Sequence, residues 1–237
     1  MKNPKKLLLF DIDGTLIHSG GAGSRALDRS FKTQCNLSNI SSQIRLDGMT
    51  DRAIVRSLIN HNQNKIKLDG KKNIENLIDK ILNLYLSFLK EEVKNSPNYK
   101  ILPGISKTVS FFSNHPDVYL GLATGNIKKG AEIKLSKGNL FHYFSFGGFG
   151  CDAEIRSEIV RKAINRGKEM ASYHFSNDDV FVIGDTHHDI QAGQELGVKT
   201  VAVATGSYSQ EALAKYKPNF LFSEFSNDNN FYQFIFH

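Results

Sequence analysis

Cysteine is scarce: Cys35 and Cys151 are the only two in 237 residues, and no C-x-x-C spacing occurs. This excludes a disulfide scaffold and a cysteine-based zinc site, and it suits a reducing compartment, so a cytoplasmic setting is expected. Long apolar runs are equally missing. The start M-K-N-P-K-K-L-L-L-F has a basic beginning, but its apolar stretch stops at Asp11, too short for a signal peptide or a membrane span. Charge of one sign is never concentrated. With 30 Lys and Arg against 24 Asp and Glu the formal charge is +6, yet the basic residues are dispersed, with no Lys/Arg block and no nucleic-acid motif. Neither nucleic acid nor a membrane is therefore an expected partner, whereas a small phosphorylated metabolite would satisfy the same bias. Gly20, Gly21 and Gly23 make a flexible connection but lack the Gly-Lys-Ser/Thr that closes a Walker phosphate loop, and they read mainly as a hinge.

What is present is an ordinary globular composition, 40% hydrophobic and 23% charged, on a chain long enough for a core domain with a smaller insertion. Leu7 to Leu16 reads L-L-L-F-D-I-D-G-T-L. Four apolar residues suit a buried parallel strand rather than a helix with a face. Residues two apart on an extended chain share a side, so Asp11 and Asp13 both point into the crevice at the strand's carboxyl end, where open α/β sheets hold ligands. Two unpaired acids there are costly, and a cation with an anionic substrate would resolve the cost. An acidic turn is the plainer alternative.

From about Arg25 to Lys94 the pattern is helical, with no strand runs. Ser24 is a candidate cap for a helix near Arg25, and Ile74, Leu77, Ile78, Ile81, Leu82, Tyr85, Phe88 and Leu89 recur at helical steps. After a return linker at 95–103, strands are expected at Val118–Ala123, 144–149, Val180–Gly184, Lys199–Ala204 and Phe220–Phe222, separated by helices. The aromatic tail from Ser223 is expected to pack on the core. Thr124-Gly125-Asn126 ends the second strand and could donate hydrogen bonds to an oxyanion. Arg156 falls in a helix's first turn, against the helix dipole, which suggests either an anionic partner or solvation. Asp185 and Asp189 close another strand, while His187 and His188 read as exposed loop residues.

Standing in order, D-I-D-G-T, A-T-G-N and G-D-T-H-H-D resemble the haloacid dehalogenase-like phosphohydrolase superfamily over nearly the whole chain. D-G-M-T-D-R at Asp47 to Arg52 resembles the cap loop of its phosphoglycolate-phosphatase-like group. The resemblance implies an α/β fold: a Rossmann-like parallel sheet core at 1–17 and 100–237, with an inserted all-helical cap domain at 18–99. It further implies Asp11 as nucleophile, Asp13 as proton donor and acceptor, and Thr124, Gly125 and Asn126 around the transferring phosphoryl. Mg²⁺ would be held by Asp11, the Asp13 carbonyl and Asp185, with Asp189 acting through water or behind the ligands. Members that displace halide look alike at Asp11 but lack the second acid, so Asp13 favours phosphoryl transfer.

The family usually carries a lysine, often before a proline, ahead of the metal-binding acids. No Lys-Pro occurs near Cys151 to Lys168, and Arg156 takes that place here, with Lys128, Lys129 and Lys162 as other sources of charge. Arg25, Thr50, Asp51 and Arg52 are the candidates for substrate contact from the cap. The implied activity is a Mg²⁺-dependent phosphatase on a small phosphomonoester such as phosphoglycolate, as a monomer or homodimer. A sugar-phosphate mutase and a catalytically silent binding protein are the alternatives.

Overall fold

In the computed structural model, residues 4–66, 71–225 and 229–236 are described; Met1 to Asn3 of the basic start and residues 226–228 and 237 of the tail lie outside them. The chain opens with β1 (Lys6–Phe10), whose five residues are all buried. Their two faces enter different cores. Leu8 and Phe10 join the cluster with Ile105, Val109 and Phe112, while Leu7 and Leu9 join Val160, Ala163 and Ile164. A strand apolar at every position is what a sheet covered on both faces demands.

The other elements follow as β2 (Ile17–His18), α1 (Ala22–Cys35), α2 (Asp51–His61), α3 (Lys71–Asn95), β3 (Lys100–Ile101), α4 (Ile105–Ser113), β4 (Val118–Ala123) and α5 (Lys128–Lys137). Then come β5 (Phe146–Gly148), α6 (Arg156–Ala171), β6 (Val180–Gly184), α7 (His187–Glu195), β7 (Lys199–Val203), α8 (Gln210–Ala214), β8 (Phe220–Phe222) and α9 (Asn229–Phe236). Six strands form one parallel sheet in the order β5-β4-β1-β6-β7-β8. Chain order runs outward from β1 in both directions, so the switch point, where such sheets bind ligands, lies at the end of β1. The α/β expectation holds, and all six expected strands form. In the tail, Phe231 and Ile235 of α9 are buried in the core cluster with Phe112.

Helices α1 to α3 enclose an apolar cluster of their own, centred on Phe31, Leu58, Ile78, Ile81 and Leu89. The chain enters and leaves this segment through an antiparallel ribbon, Ile17 opposite Ile101 and His18 opposite Lys100. Ile127 and Ile133 from the α5 region pack onto the helical cluster. Lys137 of α5 donates to the carbonyls of Val93 (2.8 Å), Lys94 (3.1 Å) and Ser96 (2.9 Å) at the end of α3. A cation at a helix C-terminus satisfies carbonyls that have no intrahelical partner.

Two local expectations shift. α1 begins at Ala22, not near Arg25, because Gly21 takes the left-handed conformation (φ 78°) that admits the turn, and Ser24 lies inside the helix. His187 and His188 lie in the first turn of α7 and are partly buried rather than in an exposed loop, with His187 stacked on Tyr216 at 4.9 Å.

Candidate active site

The carboxyl ends of β1, β4 and β6 meet beneath the helical segment, around a cavity of about 230 Å³. Asp11 leaves β1 with its backbone N–H donating to the Ile183 carbonyl (2.9 Å), which fixes its carboxylate between the two neighbouring strands. Arg156 Nη2 lies 2.8 Å from Asp11 Oδ1 and 2.5 Å from Asp189 Oδ1, and donates to the Ala123 carbonyl at 3.0 Å. Asp189 Oδ2 accepts from the Thr186 hydroxyl (2.7 Å) and N–H (3.2 Å). The bond from the Thr186 N–H is one half of a capping box that begins α7, the Asp189 backbone facing the Thr186 side chain in the other half. Asp185 Oδ1 accepts from the Thr15 hydroxyl at 3.2 Å.

One oxygen from each of Asp11, Asp185 and Asp189 lies within 4.8 Å of the others, and all three residues are buried. Burial, with the charges of Asp189 and Asp13 adding to it, pushes the Asp11 carboxyl up to about 6 against the pull of Arg156. Burial and the charges of Asp11 and Asp189 raise Asp185 well above the ordinary carboxylate value. Arg156 pairs with Asp11 and Asp189 and is, among the described residues, the one cation bonded to any of the three carboxylates, so when ionised they carry two charges too many. An all-oxygen set with that imbalance fits a hard divalent cation such as Mg²⁺. Glycine leaves room for the cluster: a Cβ on Gly14 or on Gly206 would run into the Asp185 carboxylate.

Asp13 occupies the opposite lip, its side chain 41% exposed. Its Oδ2 accepts from Lys134 Nζ (2.6 Å) and Asn126 Nδ2 (2.9 Å), and Lys134 also donates to Asn126 Oδ1 (2.6 Å). Burial opposes the Lys134 charge, but Asp13, Tyr85 and Asp51 hold its pKa above that of an ordinary lysine. Asp51, at the first position of α2, reaches across from the helical segment. Its N–H donates to Gly125 O (2.9 Å) and its Oδ2 accepts from Ile127 N (2.8 Å) at the start of α5. Burial pushes its carboxyl up to about 6, with Lys134 pulling the other way.

A family model for haloacid dehalogenase-like hydrolases matches residues 8–203, from β1 to the end of β7. The chain belongs to that family. Pyrophosphatase PpaX of Oceanobacillus iheyensis is 21% identical over 224 residues, 92% of each chain, and a Clostridium perfringens protein provisionally given the same name is 24% identical over 220 residues, 91% of each. Among solved structures, a beta-phosphoglucomutase from Clostridium difficile superposes with a TM-score of 0.70 at 17% identity, over 98% of this chain and 97% of that one. A phosphoglycolate phosphatase from Haemophilus somnus, so described by prediction, gives 0.69 at 18% over 95% and 96%. These structures share the fold, and the family model makes the chain a haloacid dehalogenase-like hydrolase.

Within this haloacid dehalogenase-like hydrolase, Asp11, Asp13, Asp51, Gly125, Asn126, Arg156 and Asp185 line the cavity, and Asp189 stands directly behind it. Four expected contacts do not reach it. Arg25 turns to Glu92 (2.7 Å) and Arg52 to Glu75 (2.8 Å) and Asp79 (2.7 Å), since α3 offers acids on the facing side. The Thr50 hydroxyl accepts from Ala53 N (3.1 Å) as the N-cap of α2. Thr124 is fully buried, its hydroxyl accepting from the Asn126 backbone N–H (3.2 Å) and side-chain amide (2.9 Å), so it braces the loop instead of facing the cavity. Lys128, Lys129 and Lys162 are exposed, away from the cavity lining. Sequence reasoning missed Lys134. The signal was available: it sits among Gly130, Ala131 and Leu135 on the buried stripe of α5, where a lysine needs a partner.

Proposed function

We propose that this chain is a Mg²⁺-dependent phosphomonoester hydrolase that works through an aspartyl-phosphate on Asp11. The observation that carries the reading is the division of labour between two carboxylates on one short loop. Asp11 is buried among the acids and Arg156, whereas Asp13 is open to the cavity and held by Lys134 and Asn126. Asp11 and Asp185 fit as direct metal ligands, with the Asp13 carbonyl. Both Asp189 oxygens are already engaged by Arg156 and Thr186, which suits a supporting role behind them. The bound ion would offset the repulsion between carboxylate and phosphate and polarise the phosphoryl oxygens.

The chain's own groups then act in two steps. An Asp11 oxygen attacks phosphorus, the bond to the leaving oxygen breaks, and Asp13 delivers a proton to that oxygen. Asp13 next takes a proton from water, whose oxygen attacks the same phosphorus; the Asp11–phosphorus bond breaks and inorganic phosphate leaves. Arg156 keeps Asp11 placed for attack, while Gly125, Asn126 and Lys134 bound the phosphoryl group's side of the cavity. Residues 18–99 serve as a cap on a core of 1–17 and 100–237, excluding water from the cavity.

The test is phosphate release from a panel of small esters, phosphoglycolate and pyrophosphate among them, with and without Mg²⁺, beside Asp11→Asn. Metal-dependent release lost in the variant supports the hydrolase. Release unchanged by the substitution refutes it. An isomerised sugar phosphate without free phosphate would indicate transfer to a second hydroxyl of the substrate.

A further inference from the structure

Resting on the hydrolase reading, we propose that the substrate's leaving group is an uncharged, largely apolar alcohol held by the wall that the helical segment presents to Asp11. The cavity has two unlike sides. The core side supplies Asp11, Asp13, Asn126, Lys134, Arg156 and Asp185, where phosphoryl chemistry needs charge. The helical side supplies mainly Leu27, Leu46, Met49, Ile54, Val55 and Leu82, beside the hydroxyl residues Ser24 and Tyr85. The charged residues it adds to the lining, Asp47 and Asp51, are both acidic, Asp47 being paired with Arg45 at 3.0 Å.

Cations are available on the helical segment but are spent elsewhere. Arg29 pairs with Glu91 and Glu92 at 2.9 Å, and Arg56 joins Glu75 and also Glu154 at 2.8 Å. With Arg25 and Arg52 already turned away, none of these four arginines lines the cavity. A carboxylate or second phosphate on the leaving group would have to shed water against that wall with no cation from the helical segment in the lining, while the core's Lys134 and Arg156 are already held by Asp13, Asn126, Asp11 and Asp189. An apolar group would gain from the same burial. Space agrees with this. An apolar cavity of about 150 Å³ takes benzene, so about 230 Å³ holds a phosphoryl group beside a small ring or short alkyl chain.

The test compares benzyl phosphate with 4-carboxybenzyl phosphate, esters whose leaving alcohols differ by the added carboxylate. With the full chain and Mg²⁺, kcat/KM is expected to favour the benzyl ester by roughly 10- to 100-fold, as for a buried charge left unpaired. Phosphoglycolate and pyrophosphate fall on the disfavoured side. Ile54→Lys, which sets a cation in the wall, narrows the gap by about tenfold. Calorimetric titration of Asp11→Asn with both esters separates the two readings. Tighter binding of the benzyl ester without any turnover in the wild type refutes the hydrolase but keeps the apolar pocket. Turnover with equal or better use of the carboxylated ester overturns the pocket and keeps the hydrolase, and binding of neither ester overturns the pocket as well.

Discussion

Lys134 Nζ lies 2.6 Å from Asp13 Oδ2, across 121 residues of sequence. The lysine is buried and the aspartate is 41% exposed, so the two ends of this pair depend on it unequally. Replacing Lys134 by Met leaves Asp13 with water as an alternative partner but strips the buried Asn126 Oδ1 of its donor, and the stability cost is expected to be moderate, about 1–3 kcal/mol. Activity suffers more. Asp13 and Asn126 lose the group that fixes them toward the leaving oxygen, and kcat should fall by about 100-fold, within the range of lost acid–base catalysis. Thermal melting beside kcat decides it: a collapse of stability with kcat intact in the folded fraction would make Lys134 purely structural.

Magnesium and pH should be linked with a definite sign. In the metal-free protein Asp11 is held at about 6 and Asp185 well above the ordinary value, so both keep protons that the unfolded chain loses from about 4 upward. The folded state then binds more protons than the unfolded one, and stability falls as pH rises through the window up to about 6 and beyond for Asp185. Asp51, also near 6, adds to the same slope. A cation needs both ligands ionised, so the rise in Tm on adding Mg²⁺ should be larger at about pH 7.5 than at about pH 5. Equal increments at the two pH values would count against Asp11 and Asp185 as ligands.

Gly206 tests the room around the metal ligands. The Thr205 hydroxyl donates to the Gly14 carbonyl at 2.6 Å, which ties the loop after β7 to the loop after β1. The two glycines then flank the Asp185 carboxylate, and a Cβ on Gly206 would collide with it. Gly206→Ala should displace Asp185 and weaken Mg²⁺ binding by about 10- to 100-fold, as disturbed support around a metal ligand does. Metal titration of the variant reads this directly. Unchanged affinity would place the cation elsewhere.

What could be read from the chain follows from its local chemistry. Each strand that carries site residues is apolar and ends in them, so β1, β4 and β6 announce Asp11, Asn126 and Asp185 without any knowledge of pairing. Their convergence needs these strands to be neighbours. The helical segment separates β1 from β4, and β5 with α6 separates β4 from β6, so that pairing comes from the sheet topology rather than from adjacency in the chain. The second layer was not legible. Arg25 and Arg52 look like substrate contacts until the acids of α3, 67 and 23 residues away, are brought beside them. Thr124 looks like a phosphate donor until Asn126 folds back on it. Such choices between partners are made by helix packing, which no spacing in the sequence encodes.

The same point gives a negative prediction. Arg25→Ala and Arg52→Ala should each leave kcat/KM within about threefold of wild type, as for surface substitutions away from the site. Both side chains are outside the cavity lining and already paired with acids of α3. A large rise in KM for either variant would mean that the ion pair opens to meet substrate.

Asp11→Asn should separate function from stability. The amide keeps the shape of the side chain, and Arg156 retains Asp189 and the Ala123 carbonyl as partners. Turnover is expected to fall by roughly 10⁴-fold or more, as when a nucleophile is removed. Stability should move the other way. The wild-type carboxyl sits at about 6 because burial and its acidic neighbours outweigh Arg156, so ionising it in the metal-free fold is unfavourable above that pH. Without metal at about pH 7.5 the variant should therefore melt at or above the wild type, a trade of stability for activity. The difference should shrink as pH falls from about 6 and vanish only below about 4, where the unfolded wild-type carboxyl is protonated as well. A variant that melts well below the wild type at neutral pH would show that the Arg156–Asp11 ion pair outweighs burial and repulsion together.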